Sequence, residues 1–271
     1  MMSIDFSDET VLVVGGTSGI NRGIAEVFAK LGAKVAVASR SQEKVDETVE
    51  ALTALGANAM GFSADVRDYE ALEKGVNLVH ETFGDIRVLV SGAAGNFPAL
   101  ATGMSPNAFK SVVDIDLLGT YHVMRAAYPK LAKPGACVIN VSAPQAQVAM
   151  VGQSHVCAAK AGVDMITQTL AMEWGPEGIR VNSVIPGPID GTEGMKRLAP
   201  TDEIREFCRQ SVPLKRLGEP ADVGNACAFL ASPYASYISG VVLPVDGGWL
   251  QGGVASMGAA LGSFLQQGQK S

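Results

Sequence analysis

A chain of 271 residues that is 47% hydrophobic and 18% charged can bury a substantial core, which excludes a disordered chain. Its net charge of −6 disfavours a nucleic-acid surface, so an anionic ligand must be met by local cations or backbone donors. No run of about 18 apolar residues occurs, and MMSIDFSDET lacks the basic-then-apolar pattern of a secretory leader, so neither membrane nor signal peptide is expected.

In chain order, the first element is TVLVVG, a β-branched apolar run that predicts a buried strand. A glycine turn follows, and then a helix in which Ile24, Val27, Phe28 and Leu31 repeat at i, i+3, i+4, i+7 before Gly32 closes it. KVAVAS predicts the second strand, KVDETVEALTALG a second helix of the same shape, and NAMGFSAD a weaker strand. VLVSG, CVINVS, IRVNSVIP and GVVLPVD predict the remaining strands. Strand–helix alternation implies right-handed crossovers and a parallel sheet covered on both faces. With no linker or repeat to divide it, 1–250 reads as one α/β domain, a doubly wound parallel sheet of about seven strands flanked by helices. Within it, 187–218 breaks the rhythm with prolines and charges, and a long segment leaving a strand's carboxyl end lies over the ligand crevice. The tail 251–271 carries Val254, Met257, Leu261 and Phe264 on one stripe, and is expected to be a short helix docked on its own core or on a subunit neighbour.

The turn GGTSGI, set between a strand and a helix, carries the first chemistry. Gly15 permits the tight turn, and Gly19 lets the backbone approach a pyrophosphate at the helix N-terminus. A plain tight turn would use the same glycines; the strand before and helix after favour a dinucleotide. Asn21 stands where a third glycine would. The second strand ends in Ser39 and Arg40, where an NAD site would want a carboxylate. A hydroxyl and a guanidinium suit a 2′-phosphate, so NADP(H) is the expected cofactor, against the plainer reading of Arg40 as a surface charge. Cys137, Cys157, Cys208 and Cys227 form no CxxC, and His80, His122 and His155 make no metal pattern, so no metal is expected. Reduced thiols and a C-terminal QQGQKS that is no peroxisomal address fit a cytoplasmic protein.

These features resemble the short-chain dehydrogenase/reductase family over nearly the full length. The matching pieces are Gly15-Gly16-Thr17-Ser18-Gly19-Ile20, ADV at Ala64–Val66, GAAG at Gly92–Gly95, Lys160, RVNSVIPGPI, and VDGG at Val245–Gly248. Within the family the chain is similar to the 2,4-dienoyl-CoA reductases, through AAGNF, NAFKSVVDID, HVCAAKAGVD and PGPIDGTEGMKRL. The resemblance implies a Rossmann-like fold, a homotetramer and an acyl-CoA substrate. The chain departs from the family pattern at Asn21, at SGAAG, and at Val156, which occupies the usual tyrosine position one turn before Lys160.

That tyrosine, acidified by the lysine, normally gives a proton to the oxygen of a reduced carbonyl. Val156 cannot, so ordinary ketone reduction is disfavoured. A 2,4-dienoyl thioester instead takes hydride at its remote end and moves charge onto the thioester oxygen, where donors are needed before water protonates carbon; one donor is worth about 3–4 kcal/mol in comparable sites. The implied activity is NADPH-dependent reduction of 2,4-dienoyl-CoA in unsaturated fatty-acid β-oxidation. The competing readings are a reductase of another conjugated carbonyl and a catalytically silent NADP(H)-binding relative.

By resemblance, the catalytic residues are Asp116, Lys160 and Ser142. Lys160 binds nicotinamide ribose and adds positive field; Asp116 positions Lys160 and a water, or merely neutralises the lysine; Ser142 donates to the thioester oxygen, or merely forms a turn. The implied cofactor contacts are Gly15, Thr17, Ser18, Gly19, Ile20, Ser39, Arg40, Asp65, Val66, Ala93, Lys160, Pro186, Gly187, Ile189 and Thr192. Arg67, Phe97, Asn107 and Arg197 are assigned to the CoA thioester. His155 lies roughly 140° around the helix from Lys160, so it reaches the site only if the helix begins there. Cys157 shares the face of Lys160 and reads as a small buried thiol rather than a nucleophile.

Overall fold

The computed structural model describes the backbone of 4–268 and the side chains of 4–263. Its strands are β1 (Thr10–Val14), β2 (Lys34–Ser39), β3 (Ala59–Ser63), β4 (Ile86–Ser91), β5 (Cys137–Val141), β6 (Arg180–Pro186) and β7 (Val242–Val245). All pair in parallel, in the order β3-β2-β1-β4-β5-β6-β7, so the weak run NAMGFSAD does become a strand, at the sheet edge. The strands read as unbroken apolar runs because both faces are covered. Val11 and Val13 of β1 face one core cluster while Leu12 and Val14 face the other, the period of two that a strand imposes.

The first face is covered by α1 (Gly19–Lys30), α2 (Gln42–Ala54) and, from late in the chain, α9 (Pro220–Ala231). The second face carries α3 (Tyr69–Phe83), α5 (Gly119–Ala127) and α6 (Ser154–Trp174). α4 (Pro106–Val112) runs into α5 through a π-helical stretch, Val113–Leu118. Such widened turns recur at functional sites because they redirect one side chain, and here the stretch buries Asp116.

The segment 187–218 is more regular than its prolines suggest. It holds α7 (Glu193–Leu198) and α8 (Asp202–Ser211), capped by the hydroxyls of Thr192 and Thr201, which accept from the backbone N–H groups of Met195 and Ile204. The tail is α10 (Gly253–Gly268). Val254 and Met257 are buried against Trp249, Cys208 and Val212, with Leu261 packed beside them, so the stripe docks on the chain itself; the Phe264 side chain lies outside the described residues. Among the described residues no helix is long and apolar enough to cross a membrane.

Candidate active site

The strand order reverses between β1 and β4, and the carboxyl ends there open into a crevice of about 610 Å³. Its walls bring together Gly15, Thr17, Ser18, Gly19, Ile20, Ser39, Arg40, Asp65, Val66, Ala93, Asp116, Ser142, Lys160, Thr192 and Arg197. Pro186, Gly187 and Ile189 line a smaller adjoining cavity that also touches Ser142 and Thr192.

At the dinucleotide end, Gly15 has φ +82°, and a Cβ there would sit 2.8 Å from the Ala93 nitrogen. Only glycine allows the turn after β1 to lie so close to the turn after β4. Gly19, at φ +52°, opens α1 with Ser18 in extended conformation before it, leaving the helix N-terminus facing the crevice. Asn21 turns out to be a strut. Its Nδ2 donates to the Gly92 carbonyl at 2.6 Å, and a Cβ on Gly92 would lie 2.2 Å from Asn21 Oδ1. The substitution of the third glycine is therefore matched by Gly92 across the crevice. At the end of β2, Arg40 is joined by Lys44 in the first turn of α2, a second cation on the same wall. The sequence reading missed Lys44; its signal was the four-residue spacing from Arg40 across the N-terminus of α2. A glycine cradle that a side chain would fill, with paired cations at the 2′ end, fits a nicotinamide dinucleotide.

Asp65 forms a two-point ion pair with Arg67, Nε–Oδ1 2.9 Å and Nη2–Oδ2 2.6 Å. The guanidinium holds the Asp65 carboxyl down to about 2. Arg67 thus has a partner within the protein and lines neither cavity, and Asn107 is exposed in the first turn of α4. Arg197 reaches the crevice and donates from Nη1 to the Asn96 carbonyl at 2.5 Å, tying α7 to the turn after β4.

At the reacting end, Lys160 and Asp116 meet. Lys160 Nζ donates to the Val141 carbonyl at 2.9 Å and lies 3.5 Å from Asp116 Oδ2, while Asp116 Oδ1 accepts from the Gly95 N–H at 2.7 Å. Small residues permit the meeting: a Cβ on Gly162 would sit 2.8 Å from Leu117, so glycine lets α6 press against the π-helical stretch. Val156 is buried with Val112 and Ala159, and Phe97 packs on them, so the tyrosine position is part of an apolar wall. Ser142 is buried where the crevice meets the adjoining cavity. Behind it, Asp164 accepts from Ser183 at 3.1 Å; burial pushes this carboxyl above its ordinary range, opposed by the Ser142 and Ser183 hydroxyls and the Lys160 charge. Asp164 was not anticipated, though its place one turn after Lys160 puts it on the same helix face.

α6 begins at Ser154, so His155 falls in the first turn and turns inward. It is fully buried, edge-to-face with Phe97 at 4.5 Å, and burial lowers its pKa, keeping the ring neutral. Cys157, expected to be buried, is half-buried.

A doubly wound sheet with this glycine turn, a cation pair after β2 and a buried lysine–carboxylate pair beside the crevice defines a nicotinamide-dependent oxidoreductase of the Rossmann type. The chain belongs to the short-chain dehydrogenase/reductase family: residues 14–250 match a family profile described as enoyl-(acyl carrier protein) reductase. It is 44% identical over 246 residues to the peroxisomal 2,4-dienoyl-CoA reductase, (3E)-enoyl-CoA-producing, of Rattus norvegicus, covering 90% of this chain and 84% of that one. It is 37% identical to a Bacillus subtilis protein named as a probable 2,4-dienoyl-CoA reductase, (2E)-enoyl-CoA-producing, covering 89% and 97%. Among solved structures, a dehydrogenase/reductase from Sinorhizobium meliloti superposes with TM-score 0.85 at 31% identity, covering 91% and 97%. A short-chain dehydrogenase from Bacillus anthracis superposes with TM-score 0.79 at 35% identity, covering 89% and 96%.

Proposed function

We propose that the protein reduces 2,4-dienoyl-CoA thioesters with NADPH, in the oxidation of unsaturated fatty acids. The observation that carries this is a buried Lys160–Asp116 pair beside an apolar Val156, a site with positive field but no side chain to protonate a carbonyl oxygen. Bound NADPH supplies the hydride. Lys160, held by Val141 and Asp116, is placed to bind ribose hydroxyls and favour negative charge developing on the substrate. Asp116, oriented by the Gly95 N–H, keeps the ammonium in place and holds the water that protonates the dienolate at carbon. Ser142 is assigned as donor to the thioester oxygen, since it lines both the crevice and the adjoining cavity. Phe97 walls the diene and Arg197 meets CoA at the crevice. Arg40 and Lys44 take the 2′-phosphate.

The deciding measurement follows NADPH absorbance with purified protein and 2,4-hexadienoyl-CoA, with identification of the enoyl product. Oxidation that requires Lys160 and Asp116 supports the reading; NADPH binding without turnover of any conjugated thioester sinks it. NADPH is expected to raise the melting temperature more than NADH at equal concentration, and Arg40→Ala to erase the difference; a larger shift with NADH would overturn the 2′-phosphate assignment.

Leu118, Tyr121 and Met165 are exposed around a groove between α5 and α6, which supports assembly of copies through that face into the expected homotetramer. Four free cysteines support placement in the reducing cytoplasm.

A further inference from the structure

The smaller cavity raises a question the catalytic residues leave open. It holds about 160 Å³ and shares Ser142, Gln145 and Thr192 with the cofactor crevice, so the two are continuous beside the reacting end. Away from that junction its character changes: Met150, Met195, Trp249, Met257 and Leu261 surround it. Methionine is flexible and polarisable and fits itself to apolar groups of varied shape. A dry apolar cavity of about 150 Å³ takes up benzene, so this one has room for about six carbon atoms.

The far wall comes from α10. Val254 and Met257 anchor the helix at 0% and 4% exposure, and Gly253 sits where a Cβ would be 2.2 Å from the Trp249 ring. Gly258 and Gly262, one turn apart, face Met150 and Val151, where a Cβ on Gly262 would lie 3.1 Å from Val151. The helix therefore lies flat on the Met150–Val151 loop, and Met257 and Leu261 project from it onto the cavity. Residues 253–268 also lie beyond the part of the chain that matches the family profile, 14–250. The profile therefore does not describe this wall.

We infer that the acyl tail of the substrate runs past Ser142 into this methionine-lined cavity, and that Met257 and Leu261 of α10 set the chain length the enzyme accepts. The inference rests on the dienoyl-CoA reading and deepens it. The thioester must lie near Lys160 and Asp116, and this cavity is an apolar space continuous with that position. An aliphatic tail is stabilised by each methylene it buries there, and a bulkier wall removes room for the last carbons.

The test compares kcat/KM for 2,4-decadienoyl-CoA and 2,4-hexadienoyl-CoA with the full-length protein. Leu261→Trp is expected to lower the decadienoyl-to-hexadienoyl ratio about tenfold or more, the discrimination an apolar pocket gives for a methylene or two. Leu261→Ala is expected to raise that ratio, most clearly for tails longer than decadienoyl. A melting temperature that still rises with NADPH certifies each variant as folded, and Met257→Trp replaces Leu261→Trp if the latter does not fold. A ratio equal to wild type in the variants, or equal losses on both thioesters, overturns the assignment of α10. A wild-type enzyme that turns over neither thioester instead removes the dienoyl-CoA reading, and this inference with it.

Discussion

Placing Lys160 and Asp116 at 4% and 1% exposure takes two charges out of water, which costs several kcal/mol per ion unless each is paired and hydrogen-bonded. Both conditions are met, through the Val141 carbonyl, the Gly95 N–H and the ion pair itself. Removing one partner strands the other, so Asp116→Ala is expected to destabilise the fold by about 3–5 kcal/mol, read by denaturant unfolding. The gentler Asp116→Asn is expected to lower kcat about 100-fold while NADPH still shifts the melting temperature, because it keeps shape and removes the charge that orients lysine and water. His155 gives a pH signature. Its folded pKa is depressed by burial, so its contribution to stability is complete above the unfolded value of about 6.5 and is lost as pH falls through the lower folded value. The melting temperature should fall from pH 7 to pH 5, and His155→Phe should flatten that slope; an unchanged slope would show that other groups set it.

Elements meet here through residues without side chains. The turns after β1 and β4 interlock because Gly15 and Gly92 leave room for Ala93 and the Asn21 amide. Gly92→Ala is expected to push Asn21 aside, lower the melting temperature and weaken cofactor binding, while Asn21→Gly in the same chain restores part of both. A double-mutant cycle should return a coupling of about 0.5–3 kcal/mol, and additivity would refute the interlock. The glycine turn and the lysine helix were legible locally, because each is defined by residues within one or two turns. The flanking Ala158, Ala159, Ala161 and Gly162 even signalled close packing. Asp116 was paired with Lys160 only through the family resemblance, because it is 44 positions earlier, and the π-helical turn that carries it has no separate sequence signal.

Across the whole molecule, the layer over the first sheet face closes where α9 crosses α1. A Cβ on Gly23 would lie 2.2 Å from Pro220 Cβ, and one on Gly224 2.6 Å from Val27, so the two helices touch nearly backbone to backbone. Gly23→Ala is expected to cost about 1–3 kcal/mol by overpacking, although alanine is the better helix former; a raised melting temperature would refute it. The same contact joins the ends of the domain, since Gly23 and Gly224 are about 200 residues apart.

The sequence alone determined the alternating strands and helices, the cofactor turn, the lysine and the loss of the tyrosine, because hydrophobic period and glycine spacing are written locally. Tertiary structure decided what those pieces do together. It made Asn21 a strut, bound Arg67 to Asp65, set Lys44 beside Arg40, turned His155 onto Phe97 and brought α10 over the apolar cavity. Each depends on approach between segments distant in the chain, where backbone clearance and desolvation, rather than local propensity, select the contact.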